Sequence, residues 1–311
     1  MITRVDVEAA QRRTEGWIRR TPSVEIADGV RVKLEYLQHS GSFKARGAFN
    51  RILAAREAGD LPEAGVVTAS GGNAGLALAY AAARLGVPAE VFVPVNAPGV
   101  KVARLRELGA AVQQHGQQYA DAYAACTVRM AQTGALFCHA YDQPEIVAGQ
   151  GTLGLELSDV DTVLVATGGG GLVAGIAAAL QGRAKVVAVE PVGAPTLHRA
   201  LIAGGPVDVP VDSIAADSLG ARRLGTIAYE VAVATGIASV LVSDEAIISA
   251  RRSLWRECRI VVEHGAAAAY AALTGEAYRR DPGERVTVVL CGANTDPADL
   301  GAERVSNARP G

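Results

Sequence analysis

One lysine in this sequence has neighbours that suit a reactive amine. Lys44 lies in the stretch HSGSFKARGAFN, residues 39–50, just after Phe43 and just before the segment Ala45-Arg46-Gly47. A lysine amine must be neutral to attack an electrophile, and burial away from water lowers its pKa from the usual ~10.4. Such a lysine commonly forms a Schiff base with a carbonyl cofactor. Taken alone, the stretch still favours an exposed lysine at the start of a helix, because most lysines are exposed.

A loop of small residues follows the apolar run at 66–69 and precedes an Ala-rich segment; it reads Ser70-Gly71-Gly72-Asn73-Ala74. This order predicts a strand, a turn and a helix. The backbone N–H groups of the loop would then lie at a helix N-terminus, where an anion is favoured. That anion could be a substrate carboxylate, with Asn73 as a hydrogen-bond donor to a cofactor oxygen. An ordinary turn with Asn73 as the helix cap explains the loop equally well.

Four consecutive glycines, Gly168 to Gly171, follow the apolar run at 162–167 and precede a second helical segment. Residues without a Cβ can aim their N–H groups inward, and a helix N-terminus adds partial positive charge, so the loop predicts a phosphate cradle. The loop is not a P-loop, G-x-x-x-x-G-K-[ST]. It is not the dinucleotide fingerprint G-x-G-x-x-G either, since Val173 and Ala174 stand where that pattern requires glycine.

A cysteine, Cys291, ends the last apolar run of the chain, RVTVVLC at 285–291. The carboxyl end of a parallel strand faces the ligand crevice of an α/β sheet, which makes Cys291 a candidate site residue. Free cysteines are most often buried in the core, and the residues alone favour that interpretation.

Short apolar runs alternate with longer Ala-rich segments along the chain. The runs lack strict polar alternation, which is typical of parallel sheets covered on both faces, so the pattern predicts an α/β fold. We expect strands at 66–69, 89–94, 162–167, 185–190, 239–243 and 285–291, and helices at 73–86, 98–109, 119–133, 145–158, 172–181, 222–235, 244–258 and 264–279. The length of 311 residues favours two lobes. We expect a large domain from 1–35 and 139–311 and a small domain from 36–138.

The composition argues against several classes of partner. The formal net charge is −2, and no basic stripe or polybasic patch indicates nucleic acid or a membrane surface. The N-terminus lacks the apolar stretch of a signal peptide, and the glycines interrupt the longest apolar run. None of the four cysteines forms a C-x-x-C pair. We therefore expect a soluble cytoplasmic protein with reduced thiols.

The motifs GSFKARG, SGGNAG, GGGGL and LCG occur in this order over most of the chain. The ordered set resembles the pyridoxal-phosphate enzymes of the tryptophan synthase β fold, also called fold type II. More closely it resembles their serine/threonine dehydratases, and within these the serine dehydratase and serine dehydratase-like branch. The resemblance implies two lobes, each with a mostly parallel sheet covered by helices, and a homodimer. It also implies β-elimination of water from L-serine or L-threonine, which yields pyruvate or 2-oxobutanoate plus ammonia.

The resemblance assigns a role to each motif. It makes Lys44 the lysine that holds pyridoxal phosphate covalently and Phe43 the residue that packs on the pyridine ring. It places Asn73 at the ring's 3′ oxygen and Cys291 at the pyridine nitrogen, contrary to the core interpretation of that cysteine. The phosphate is then held by Gly168, Gly169, Gly170, Gly171 and Leu172, and the substrate carboxylate by Ser70, Gly71, Gly72, Asn73 and Ala74.

A thiol at the pyridine nitrogen has mechanistic meaning. It is a weak hydrogen-bond partner and leaves the ring neutral, which favours loss of a β leaving group. We hypothesise that Lys44 takes the α proton and that the cofactor phosphate acts as the acid for the leaving hydroxyl. Racemisation, as in a serine racemase, requires a second proton donor where this chain has Gly71. The motifs are also compatible with a β-replacement synthase such as a cysteine synthase, and with a cofactor-free α/β ligand-binding protein.

A cation site is a further implication of the resemblance. Relatives bind a cation through the glutamate of a V-E-P segment and nearby carbonyls, which correspond to Glu190 and Ala194. Divalent-binding relatives add an aspartate where this chain has Thr196, so a monovalent ion such as K⁺ is the expectation. An ordinary carboxylate at a strand end explains Glu190 equally well.

Overall fold

Two sheets, each flanked by helices, organise the computed structural model, which describes residues 1–300. No helix within these residues is both long enough and apolar enough to cross a bilayer. The strands are β1 (Ser23–Ala27), β2 (Val30–Lys33), β3 (Val66–Ala69), β4 (Ala89–Val93), β5 (Ala111–Gln114), β6 (Leu136–Phe137), β7 (Thr162–Ala166), β8 (Lys185–Pro191), β9 (Ala238–Val242) and β10 (Val286–Val289). The α-helices are α1 (Arg4–Thr14), α2 (Lys44–Ala58), α3 (Asn73–Leu85), α4 (Gly99–Glu107), α5 (Tyr119–Thr133), α6 (Pro144–Gly151), α7 (Gly171–Leu180), α8 (Thr196–Ala203), α9 (Ala216–Leu219), α10 (Thr226–Thr235), α11 (Asp244–Cys258) and α12 (His264–Thr274).

The larger sheet has six strands in the order β1-β2-β10-β7-β8-β9. All neighbours pair in parallel except β1, which runs antiparallel to β2 at the edge. In the centre of the sheet, Val288 lies opposite Val32 on one side and Leu164 on the other, and all three are fully buried. Helices α7 and α12 pack their alanines into the same core. The strands lack alternation of polar and apolar residues because helices cover both faces of the sheet.

The smaller sheet has four parallel strands in the order β5-β4-β3-β6. One face packs against α2 and α3, with Phe49, Ile52 and Leu78 in the core. The other face packs Val67 and Phe92 against α5. The fold class expected from the sequence, α/β with two mostly parallel sheets covered by helices, is therefore confirmed.

All six predicted strands form, but the local sequence pattern did not predict four others, β1, β2, β5 and β6. Strands β1 and β5 are mostly exposed edge strands, and β6 has only two residues, so none of the three is a buried apolar run. Strand β2 is also short, with four residues of which two are charged, Arg31 and Lys33. Four helices, α1, α2, α8 and α9, were likewise absent from the predicted ranges, although a helix start at Lys44 was considered.

Three predicted helices have different bounds. The helix expected at 264–279 ends at Thr274, and the other two differ for tertiary reasons. The helix expected at 145–158 ends at Gly151, and a short 3₁₀ turn at Gly154–Glu156 directs Glu156 towards Arg46. The helix expected at 222–235 begins at Thr226, because the distant Asp142 carboxylate accepts hydrogen bonds from the first amides of α10. When the capping side chain comes from a distant segment, the sequence next to the helix terminus carries no signal of the cap.

The segment before Lys44 is held against the end of β10. Ser42 and Gly292 form an antiparallel bridge, and the Phe43 N–H donates to the Cys291 carbonyl at 3.0 Å. Helix α2 therefore begins at Lys44, directly above the carboxyl edge of the larger sheet. The larger sheet thus sets the position of a lysine whose helix packs in the smaller core.

A buried network of four charged side chains holds the same helix on its other side. The Arg46 guanidinium donates to Glu35 at 2.6 and 2.9 Å and to Glu156 at 2.7 Å, and Lys33 donates to Glu156 at 2.5 Å. Arg46 and Glu35 are fully buried and Lys33 is 1% exposed. The two cationic side chains and the two carboxylates pair with each other, so each charge in the network has a partner of opposite sign.

Replacement of Arg46 by methionine should reduce the free energy of unfolding by about 3–5 kcal/mol, because Glu35 and Glu156 would stay buried with only Lys33 as a cation. Urea unfolding measures this loss. Arg129→Met is the matched control, since Arg129 pairs with Glu90 on the surface and should lose less than about 1 kcal/mol. Equal losses in the two variants would contradict the proposed anchoring.

Candidate active site

Lys44 lies where the two sheets meet. Its Nζ donates a hydrogen bond to the Ala140 carbonyl at 2.6 Å and lies 4.8 Å from the centre of the Phe43 ring. Burial of the amine lowers the pKa of Lys44 to about 8, against the opposing effects of Cys291 and Glu263. An amine with this pKa exchanges protons readily near neutral pH, as a nucleophile or base requires.

Cys291 is buried beside the same segment, with only 3% of its surface exposed. Burial raises the pKa of the Cys291 thiol, and the nearby Glu263 carboxylate raises it further. The thiol is therefore neutral at physiological pH, which makes it a weak hydrogen-bond partner for any group that faces it. The structure thus brings together Lys44 and Cys291, which lie near opposite ends of the sequence.

The loop Ser70–Ala74 leads into α3, whose first residue is Asn73. A Cβ at Gly75 would overlap the Ser70 carbonyl, so glycine is required there for the turn to close. A Cβ at Gly71 would lie 3.3 Å from the Val93 side chain, an apolar neighbour. The predicted carboxylate loop therefore lies at a helix N-terminus, as expected from the sequence.

Asn73 is fixed by two side chains from the far end of the chain. Its Nδ2 donates to the Glu263 carboxylate at 2.8 Å, and its Oδ1 accepts from Asn294 Nδ2 at 2.6 Å. Burial raises the pKa of Glu263 to about 7, although the hydrogen bond from Asn73 acts in the opposite direction. Glu263 and Asn294 are site residues that the sequence analysis did not identify.

The four glycines form a turn between β7 and α7. Gly170 has a φ of 85°, in the left-handed region, and α7 begins at Gly171. Among residues 1–300, no group accepts a hydrogen bond from the amides of Gly169, Gly170, Gly171 or Leu172. Protein atoms crowd the back of the turn: a Cβ would overlap the Tyr141 ring at 169 and would lie 3.1 Å from Leu219 at 168. The turn therefore offers four free N–H groups in a crowded cradle, a geometry that fits a phosphate group.

A buried amide side chain next to this cradle also lacks partners. Gln150 is 1% exposed, and neither its Oε1 nor its Nε2 has a hydrogen-bond partner within the described part of the chain. Its Oε1 lies 2.7 Å from the position that a Cβ at Gly171 would take. Gln150 and Lys44 line the same small cavity, of about 10 Å³. The free amides of the turn, the unpaired Gln150 amide and the Lys44 amine have the chemistry to hold the phosphate and the aldehyde of pyridoxal phosphate.

Glu190 lies near the end of β8, where the Thr196 hydroxyl contacts both its carboxylate and the Gly168 carbonyl. Its carboxylate accepts hydrogen bonds from the amides of Leu197 and His198 at 2.7 and 2.9 Å, and from the Ser239 hydroxyl at 2.9 Å. These bonds cap α8, the interpretation that competes with a cation site. No three His, Cys, Asp or Glu residues within 1–300 lie close enough to hold a metal ion.

The comparisons with known proteins agree with this geometry. The family model described as "Pyridoxal-phosphate dependent enzyme" matches residues 14–292, so the chain belongs to that family. A phenylserine dehydratase from Ralstonia pickettii is 38% identical over 94% of this chain and 93% of its own length. An L-threonine ammonia-lyase from Geobacter sulfurreducens is 37% identical over 93% of this chain and 75% of its own length.

A solved structure extends the likeness to three dimensions. The serine racemase from Dictyostelium discoideum has a TM-score of 0.86 and 32% identity, over 95% of this chain and 99% of that one. The prediction of a fold type II enzyme of the serine/threonine dehydratase family, with pyridoxal phosphate as its cofactor, is confirmed. The narrower resemblance to the serine dehydratase branch stays a prediction.

Replacement of Glu263 by glutamine should reduce the change in the free energy of unfolding between pH 4.5 and about 7. The folded pKa of about 7 exceeds the ordinary 4.5, so between these values the folded protein holds a proton that the unfolded chain has released. This contribution to stability is complete below pH ~4.5 and is lost as the pH rises through ~7, a change of about 3 kcal/mol.

Urea unfolding of the wild type and of Glu263→Gln, between about pH 5 and 8, checks this expectation, since the stability difference between the two should change over that range. The control is Glu15→Gln, which removes an exposed carboxylate. Parallel curves for the wild type and Glu263→Gln would show that Glu263 titrates alike in the folded and unfolded states.

Proposed function

We propose that this protein eliminates water from L-serine and L-threonine to give pyruvate or 2-oxobutanoate plus ammonia. One observation supports this proposal above the others. The Lys44 amine, whose pKa is about 8, lies near the end of the strand that carries Cys291 and near the free amides of the glycine turn. Related proteins named phenylserine dehydratase and L-threonine ammonia-lyase support an ammonia-lyase of β-hydroxy amino acids.

Each group of residues has a part in the proposed reaction. The amides of Gly168–Leu172 bind the cofactor phosphate, and the loop Ser70–Ala74 binds the substrate carboxylate. Phe43 packs against the cofactor ring, and Asn73 donates to its 3′ oxygen. When bound, pyridoxal phosphate supplies the conjugated ring that stabilises negative charge at the substrate Cα.

Lys44 acts as the base in this proposal. Its Nζ accepts the proton from the substrate Cα, and the Ala140 carbonyl that accepts a hydrogen bond from Nζ holds the amine in place. The neutral Cys291 thiol does not transfer a proton to the group that faces it, because burial keeps its pKa high. Without that proton the charge at Cα is short-lived, and loss of the β-hydroxyl competes well with reprotonation.

Two neighbouring activities are less well supported. A racemase requires a proton donor on the face opposite Lys44, and Gly71 at the predicted position has no side chain and faces the apolar Val93. A β-replacement synthase would take a second substrate such as sulfide in place of releasing the 2-oxo acid. The sequence GGGGL of the phosphate loop is more typical of dehydratases than of synthases.

Several further expectations complete the proposal. We propose a large domain of 1–35 and 139–311 and a small domain of 36–138, which the separate cores of the two sheets support. A cytoplasmic homodimer is proposed from the family resemblance. A monovalent cation at the Glu190 side chain and the Ala194 carbonyl stays a prediction, with the cap of α8 as the competing explanation.

The activity is tested with a panel of β-hydroxy amino acids that includes serine, threonine and phenylserine. We expect the wild type loaded with pyridoxal phosphate to release 2-oxo acid and ammonia from serine or threonine. Lys44→Ala should lose roughly a hundredfold or more in rate and should not be labelled by borohydride. Lys185→Ala, which removes an exposed lysine, is the control. Cysteine in place of pyruvate when sulfide is added would favour the synthase, and no product at all would refute the proposal.

The phosphate cradle is tested by Gly169→Ala. The added Cβ would overlap the Tyr141 ring, so the loop must shift and its amides must leave their present positions. Affinity for pyridoxal phosphate, followed by titration of the apoprotein, should fall roughly tenfold or more, about 1.4 kcal/mol. Gly205→Ala is the matched control, because no atom lies within 4 Å of the added Cβ. Equal affinities in both variants would place the phosphate elsewhere.

A further inference from the structure

We propose that Glu263 is a positioning residue that holds the Asn73 side-chain amide with its N–H groups towards the 3′ oxygen of the cofactor. This inference rests on the proposed function, since it concerns how the site receives pyridoxal phosphate. The argument starts from the burial of Glu263, which is 7% exposed at the N-terminus of α12.

The surroundings of Glu263 differ from those of the other buried carboxylates at the junction of the two sheets. Glu35 and Glu156 both accept hydrogen bonds from Arg46, so their charges are paired. Within residues 1–300, Glu263 forms no salt bridge, and the side chain that donates to it is Asn73, at 2.8 Å. A carboxylate buried without a cationic partner is costly to ionise, and a carboxylate kept at such a position against the Asn73 amide indicates a task at the site.

The backbone places this carboxylate against the strand end that carries Cys291. The Glu263 N–H donates to the Gly292 carbonyl at 3.1 Å, and a Cβ at Gly292 would lie 2.5 Å from Glu263 Oε1. Glycine at 292 therefore makes room for the carboxylate between Cys291 and Asn73. The carboxylate thus lies beside both residues that the proposed function directs at the cofactor ring.

The hydrogen bonds of Asn73 determine which way its amide faces. Above its pKa of about 7, Glu263 is ionised and can only accept, so the Asn73 nitrogen faces Glu263 and the Asn73 oxygen accepts from Asn294. Asn294 is itself fixed by a second bond, to the Ser40 carbonyl at 2.9 Å. Within residues 1–300, the second N–H of Asn73 has no acceptor. Asn73 can therefore donate this N–H to a ligand, which suits an oxygen that carries negative charge.

Loss of Glu263 removes one of the two side chains that distinguish the orientations of this amide and leaves it held only by the exposed Asn294. A rotation of the Asn73 amide would then turn its oxygen towards the cofactor oxygen, and the two acceptors would repel each other. A glutamine at 263 can still present an oxygen to the Asn73 nitrogen. The inference therefore predicts that Glu263→Gln preserves the site and that Glu263→Ala disturbs it.

Measurements on the apoprotein titrated with pyridoxal phosphate at about pH 8 test this inference, since Glu263, with a pKa of about 7, is then ionised. Glu263→Ala should bind the cofactor roughly tenfold more weakly and should shift its absorbance band, whereas Glu263→Gln should stay within about threefold of the wild type. If the role of Glu263 were merely structural, Glu263→Ala would lower the free energy of unfolding and would leave the absorbance of the bound cofactor unchanged.

A double-mutant cycle shows whether Glu263 acts through Asn73. In an Asn73→Ala background, Glu263→Ala should weaken cofactor binding less than about twofold further, because the amide that it orients is gone. Additive losses would overturn the inference, as would wild-type affinity and absorbance in Glu263→Ala. If Glu263→Ala does not fold, Asn294→Ala, which removes the other anchor of the same amide from an exposed position, should shift the absorbance band, and an unchanged band there would overturn the inference.

Failure of this inference is distinguishable from failure of the proposed function. If the wild type binds pyridoxal phosphate and releases 2-oxo acid while Glu263→Ala behaves in the same way, only the positioning role is wrong. If the wild type itself shows no absorbance band with pyridoxal phosphate, the proposed function is wrong.

Discussion

The buried pairing of Arg46 with Glu35 and Glu156 is the interaction on which the rest of the site depends. Arg46 stands two residues after Lys44 on the first turn of α2, whereas both carboxylates belong to segments around the larger sheet. A guanidinium offers a rigid fork of donors, so it fixes the rotation of the helix as well as its position. Separation of α2 from these segments would leave unpaired charges in an interior without water. The free-energy cost of such charges keeps α2 against the segments around the larger sheet.

Burial at this junction also sets the protonation of the site. It lowers the pKa of Lys44 to about 8, raises that of Glu263 to about 7 and raises that of the Cys291 thiol. One cause, removal from water, acts in opposite directions on a base and on acids, because it always disfavours the charged form. The result is a reactive amine near a thiol that stays neutral, which is compatible with the proposed elimination of a β-hydroxyl.

The likeness to both dehydratases and a racemase shows that the fold alone does not decide the reaction. The sheets, the glycine cradle and the lysine are suited to several reactions on amino acids. In the proposed function the difference is local, because Gly71 stands where a racemase would need a proton donor. Choice of reaction and of substrate therefore resides in a few side chains on a shared scaffold.

The sequence by itself determined six of the strands and the α/β class, because apolar runs and small-residue turns are local signals. Its ordered motifs also gave the candidate residues Lys44, Asn73, Cys291 and the glycine loop. The tertiary structure alone decided that Glu263 and Asn294 hold Asn73. A lone glutamate before an alanine-rich helix resembles many exposed glutamates, and no pattern reveals which distant amide it meets. Likewise, the short or exposed strands β2, β5 and β6 pair with strands elsewhere in the chain, and Asp142 sets the start of α10, so only the assembled fold specifies them.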